Sequence, residues 1–185
     1  MRGRAVPVHR AFGLTPSLTA RGFQRLNRKY DELLSNVAFN CKLRPYSVAF
    51  MTDGGSIISG WSDGKIRAFA PQSGRLLYTI NDAHSAVTAI IATNDCTRII
   101  SGGIEGNVRV WRVGPQSQTM VASMKEHKGP VNSIALRRND SECVSASSDG
   151  SCIIWDLTRF ARNNSLFAST FFKVGRCRLT PGFHR

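Results

Sequence analysis

One twelve-residue phrase recurs along this chain. It reads SGWSDGKIRAFA at 59–70, SGGIEGNVRVWR at 101–112 and SASSDGSCIIWD at 145–156. Each copy holds an acid-glycine pair: Asp63-Gly64, Glu105-Gly106 and Asp149-Gly150. Such a pair signals a hairpin, because a tight turn needs φ > 0 and glycine tolerates it. Strand formers stand on both sides. Ile57-Ile58, Ile99-Ile100 and Val144 precede the turn; Ile66, Val108, Val110, Ile153 and Ile154 follow it. A bulky ring lies six residues after each acid: Phe69, Trp111 and Trp155. Each phrase therefore predicts a β-hairpin.

The copies keep time. Asp63, Glu105 and Asp149 are 42 and 44 residues apart, and His84 and His127 are 43 apart. A period in the low forties with four short strands per unit predicts the blades of a β-propeller. The expected strands are 46–50, 56–60, 65–69 and 76–80 in the first unit. They are 87–92, 98–103, 107–112 and 119–124 in the second, and 131–136, 142–147, 151–156 and 166–172 in the third. With Asp149-Gly150 as a two-residue loop, Cys152 faces Ser147 and Cys143 faces Asp156, so these cysteines are not cross-strand partners.

These units resemble the WD40 family, whose repeat runs from a Gly-His pair to a Trp-Asp pair. Trp155-Asp156 is the one true Trp-Asp, and Ala83-His84 and Glu126-His127 stand where Gly-His is expected. In that family a His, a strand-two Ser, the turn acid and the Trp form a hydrogen-bonded tetrad. The resemblance implies a complete tetrad of His127, Ser145, Asp149 and Trp155. It implies a second of His84, Ser101, Glu105 and Trp111, whose longer acid raises the question of reach. The first unit keeps Ser59 and Asp63 but lacks the matching His and Trp, so no such network is expected there. These His, Ser and acid residues invite comparison with a hydrolase triad. Their repetition with the blade argues for a structural role, since a triad also needs an exposed nucleophile and an oxyanion site.

A narrower resemblance covers about residues 40–173. The phrases SIISGWSDGKIRAFAP, IISGGIEGNVRVWRVG and KEHKGPVNSIALRRNDSECVSASSDGSCIIWDLTR are similar to the cilia- and flagella-associated WD-repeat proteins of motile axonemes. That resemblance implies a non-enzymatic scaffold on doublet microtubules that supports ciliary beating, with tubulin or axonemal proteins as partners and the cilium as its location.

Composition narrows the alternatives. The chain has 185 residues, 42% of them hydrophobic, enough for one ordinary globular domain. No apolar run approaches the roughly eighteen residues of a membrane span. Five cysteines include no CxxC pair and no zinc spacing, and read as thiols in a reducing compartment. The net charge of +13 is uneven. Residues 1–44 carry nine Lys/Arg against two acids, 45–173 thirteen against ten, and 174–185 three against none. The repeats are thus close to neutral, and the surplus sits in the flanks.

The fold expected is all-β: a partial propeller arc of three four-stranded blades with irregular basic flanks. The divisions are a leader over 1–40 with a short helix over 18–34, blades over 41–84, 84–126 and 127–173, and a tail over 174–185. The Arg-rich, acid-poor leader also fits a mitochondrial transit peptide. A closed ring uses about four to eight blades, so the expectation is a truncated product, or an arc whose missing blades come from another chain. No cofactor, metal or small-molecule substrate is expected, for want of a phosphate-cradling motif or a ligand cluster. Candidate partner contacts are Arg67, Arg109, Arg159 and Arg162. The alternative function is a basic-tailed adaptor for RNA or another acidic partner. Against RNA, Phe12, Phe23 and Tyr30 are too scattered to form a stacking platform.

Overall fold

β-branched runs cut by polar turns fold here into twelve short strands. The computed structural model describes residues 43–114, 116–137 and 139–167. The strands are β1 Pro45–Phe50, β2 Ile57–Trp61, β3 Ile66–Phe69, β4 Leu76–Ile80, β5 Val87–Ala92, β6 Arg98–Gly103, β7 Asn107–Val113, β8 Gln118–Lys125, β9 Val131–Leu136, β10 Glu142–Ser147, β11 Ser151–Asp156 and β12 Ala161–Phe167. No helix occurs among the described residues. The leader, its expected helix and the tail lie outside them.

The strands form three separate four-stranded antiparallel meanders, β1 to β4, β5 to β8 and β9 to β12. The sheets stack in sequence. Strand β5 packs against β1 and β2, and β9 packs against β5 and β6. One core lies between the first two sheets, with Ile58, Ile66, Ala68, Ile90, Ile99 and Trp111 buried in it. A second lies between the next two, around Ile100, Val108, Val110, Val131, Ile153 and Trp155. Each pair closes over a glycine. A Cβ at Gly60 would overlap the Val87 side chain, and one at Gly102 would lie 2.5 Å from Cγ1 of Val131. Glycine is needed there so that the next inner strand can approach.

Two expectations are corrected. The hairpin turns hold three residues, not two. The Gly64, Gly106 and Gly150 amides donate to the carbonyls of Trp61, Gly103 and Ser147 at 3.2, 3.1 and 3.2 Å. Only the glycine takes positive φ (77°, 84° and 83°). This is a three-residue turn with one left-handed position, and the carboxylate helps to close it. Oδ1 of Asp149 accepts the Ser151 amide at 2.9 Å, and Oδ1 of Asp63 accepts that of Lys65 at 3.3 Å. The register therefore moves by one: Cys143 pairs with Trp155 and Cys152 with Ala146. The cysteines still do not face each other. Burial pushes the Cys143 thiol up to about 12.

The fourth strand of the third sheet begins at Ala161 rather than 166 and is described to Phe167; 168–172 of the expected strand lie outside the described residues. Its polar sequence ARNNSLF reads as a loop. An outermost strand needs no apolar face, however, and six of its seven residues are exposed.

Candidate functional site

A buried indole N–H can only donate, so it must find an acceptor. In each sheet that acceptor is the strand-two serine. Nε1 of Trp111 donates to Oγ of Ser101 at 2.9 Å, and Nε1 of Trp155 to Oγ of Ser145 at 2.7 Å. The serine hydroxyl keeps its own proton and needs an acceptor in turn. Nε2 of His84 lies 2.8 Å from Ser101 Oγ, and Nε2 of His127 lies 2.7 Å from Ser145 Oγ. With Nε2 accepting, the imidazole is neutral and carries its proton on Nδ1.

That proton is handled differently in the two sheets. Oε1 of Glu105 meets Nδ1 of His84 directly at 2.5 Å, while Oε2 accepts the Ser85 amide at 3.3 Å. The longer acid does reach. The shorter Asp149 has its Oδ2 3.4 Å from Nδ1 of His127. Ser151 fills the gap: its Oγ lies 2.8 Å from Nδ1 and donates to Oδ1 of Asp149 at 2.6 Å. The third sheet thus has five members in line, and Ser151 was missed from the sequence. Its only signal was its place two residues after the turn acid, where the other copies have Lys65 and Asn107.

Burial lowers the pKa of both imidazoles. Glu105 partly offsets this for His84, and Asp149 and Glu126 do so for His127. Burial alone would raise the Asp149 carboxyl. The Ser151 hydroxyl, the Lys128 and Ser151 amides and His127 outweigh that and hold it at about 2.

The first sheet has no histidine tetrad, in line with the missing ring, but it builds a different network. Trp61, on strand two, supplies the indole and donates to Oγ of Ser59 at 2.8 Å. With no imidazole to accept, Ser59 donates to the Arg67 carbonyl at 3.1 Å. The Arg67 guanidinium lies 5.0 Å from the Trp61 ring centroid and grips Asp63 with two bonds of 3.0 and 2.7 Å. A cation over an indole and a forked carboxylate contact are both favourable uses of arginine.

These arrangements place serine, histidine and acid in line, as an acyl-transfer site would. Ser59, Ser101 and Ser145 have no exposed surface, however, and their oxygens already receive indole protons. A substrate cannot reach them. Among the described residues no group of three or more His, Cys, Asp or Glu could hold a metal ion. No helix there is long and apolar enough to cross a membrane.

The four candidate contact arginines divide. Arg67 is engaged by Asp63 and Trp61. Nη1 of Arg109 donates to the carbonyls of Asp82 and Ala83 in the loop from the first sheet to the second. Arg162 meets Oε2 of Glu126 at 2.9 Å and is half exposed. The Arg159 side chain is 84% exposed and lies 3.9 Å from Asp156. Two of the four thus serve the fold itself.

The sequence family described as "WD domain, G-beta repeat" matches residues 74–112 and 118–156. The chain carries WD40 repeats. Each matched WD40 repeat begins at the outer strand of one sheet, β4 or β8, and ends on the third strand of the next, so it ties neighbouring blades covalently. Cilia- and flagella-associated protein 52 of Mus musculus is 60% identical over 129 residues, which is 69% of this chain and 21% of that relative. The protein of the same name from Chlamydomonas reinhardtii is 66% identical over 132 residues, 71% of this chain and 22% of the relative. The chain spans about a fifth of the length of these curated relatives. Among solved structures, "Crystal structure of RRP9 WD40 repeats" is similar with a TM-score of 0.64 at 25% identity, covering 69% of this chain and 40% of that one. "Structure of U3-55K" gives the same TM-score and coverages at 24% identity. Both share the WD40 β-propeller fold.

Proposed function

We propose that this chain is a non-enzymatic WD40 scaffold of the cilium or flagellum, seated on axonemal doublet microtubules or on their associated proteins and supporting ciliary beating. The observation that carries this reading is the identity of 60% and 66% to relatives from mouse and a green alga, both named as cilia- and flagella-associated, over more than two thirds of the chain. The chemistry agrees with it. Every strand-two serine that could mimic a nucleophile is consumed inside its blade. Arg159, and Arg162 beside it on the outer strand, offer positive charge to an acidic partner surface.

A tagged chain expressed in a ciliated cell tests the location; recovery in the detergent-resistant axoneme supports it, and exclusion from the axoneme overturns it. Co-sedimentation with microtubules over a salt series tests the partner. Binding that falls on Arg159→Glu supports contact through the blades. Binding that depends only on the basic termini and vanishes with modest salt points to unspecific attraction.

A further inference from the structure

We infer that His84 and His127 are acid-operated pins: each fastens one blade to the next only while its imidazole is neutral, and protonation loosens both blade junctions before the interior of the first sheet.

Each histidine stands in a loop that crosses from one sheet to the next, and each is bonded to the following sheet and packed on the preceding one, His84 with a backbone bond as well. On the preceding sheet, the His84 amide donates to the Gly64 carbonyl at 3.1 Å. The hairpin glycines lie directly under the histidine backbone. A Cβ on Gly64 would overlap the His84 carbonyl, and one on Gly106 would sit 2.5 Å from the His127 oxygen. On the following sheet, the rings are bonded to Ser101 and Glu105, and to Ser145 and Ser151. One residue therefore spans each junction. Among the described residues, nothing lies within 4 Å of the same position on the third hairpin glycine, Gly150.

A proton arriving on either ring must go to Nε2, because Nδ1 already carries one. Nε2 is the acceptor of the serine hydroxyl, so that hydroxyl must turn away while it still receives the indole proton. The charge appears on a side chain with no solvent exposure. The charged groups around His84 are Glu105 from the β6–β7 turn, Arg109 from β7, Asp82 from its own loop, and Asp63 and Lys65 beside Gly64. Those around His127 are Asp149 from the β10–β11 turn, Glu126 and Lys128 from its own loop, and Arg162 of β12, which is held by Glu126.

The first blade has no such trigger. Its network of Ser59, Trp61, Asp63 and Arg67 contains no histidine. Burial holds both imidazoles below the ordinary histidine value. The sign follows: the contribution of the neutral pins is complete above the unfolded value of about 6.5 and declines as pH falls below it.

Hydrogen exchange on the full chain at pH 7.0 and 5.5, corrected for intrinsic rates, tests this. Amides of 81–86 and 126–129 are expected to exchange at least about fivefold faster at pH 5.5, a loss of about 1 kcal/mol of protection, with β2 and β3 unchanged. In His84→Gln/His127→Gln this acid response disappears. Should that variant not fold, proton NMR of the unaltered chain gives the same decision. Two of its four histidines are expected to titrate below 6.5 in step with junction exchange. Junction exchange that ignores pH, an equal rise in β2 and β3, or titration at the ordinary value without junction change overturns the inference.

Discussion

Oε1 of Glu105 touches Nδ1 of His84, whereas Asp149 of the next blade holds His127 through the hydroxyl of Ser151. The two blades solve one bonding problem with side chains of different length. Shortening the acid in the second blade, Glu105→Asp, is expected to cost about 1–2 kcal/mol by leaving Nδ1 without its partner. Position 107 matches Ser151, and Oδ1 of Asn107 is buried with no hydrogen-bond partner. Adding Asn107→Ser to Glu105→Asp should therefore recover most of the loss. A double-mutant cycle on urea midpoints checks this, and simple additivity would refute the bridge.

The hairpin glycines are not equivalent, although their φ values agree. Gly64→Ala collides with the His84 carbonyl, while Gly150→Ala meets no atom of the described residues within 4 Å. The second should lose only the left-handed strain, about 1–2 kcal/mol. The first should lose clearly more, and equal shifts in thermal midpoint would contradict the packing.

Trp61 and Ser59 form a coupled pair in the first blade. Ser59→Ala strands a buried indole N–H, at about 1–3 kcal/mol. Trp61→Phe removes that donor and weakens the seat of Arg67. The double substitution should cost less than the sum of the singles, as read from denaturant unfolding.

Asp149 makes the third blade sensitive to strong acid. Its carboxyl is held at about 2, below the ordinary 3.8. A depressed pKa gives stability that is full above the unfolded value and is lost as pH falls through the folded one. The amount is about 2 kcal/mol. Asp149→Asn should be less stable at pH 7 and should flatten the stability profile between about pH 4 and 2, measured by urea titration at each pH.

Period, hairpins and the tryptophans of the second and third sheets were legible because they depend on local chemistry. An acid-glycine turn and flanking β-branched residues announce themselves wherever they stand, and a step of 42 to 44 residues admits few folds. Strand β12 was not legible, because an exposed outer strand carries no apolar alternation. Trp61 and Ser151 were passed over for another reason. Each fills a role that the other copies assign to a different position, and a search for matching letters does not find it.

The sequence by itself determined three hairpin-centred sheets and the serine at the middle of each, since turn geometry and side-chain period follow from neighbouring residues. Tertiary structure decided how the polar groups are paired. Whether an acid reaches a histidine directly, through Ser151, or not at all depends on distances of a few ångströms between segments some twenty residues apart. The same holds for Arg67 and Arg109, which in sequence are ordinary surface charges. Each is drawn inward by a partner, Asp63 and Trp61 for one and the loop carbonyls of the first junction for the other, that only the folded chain brings within reach.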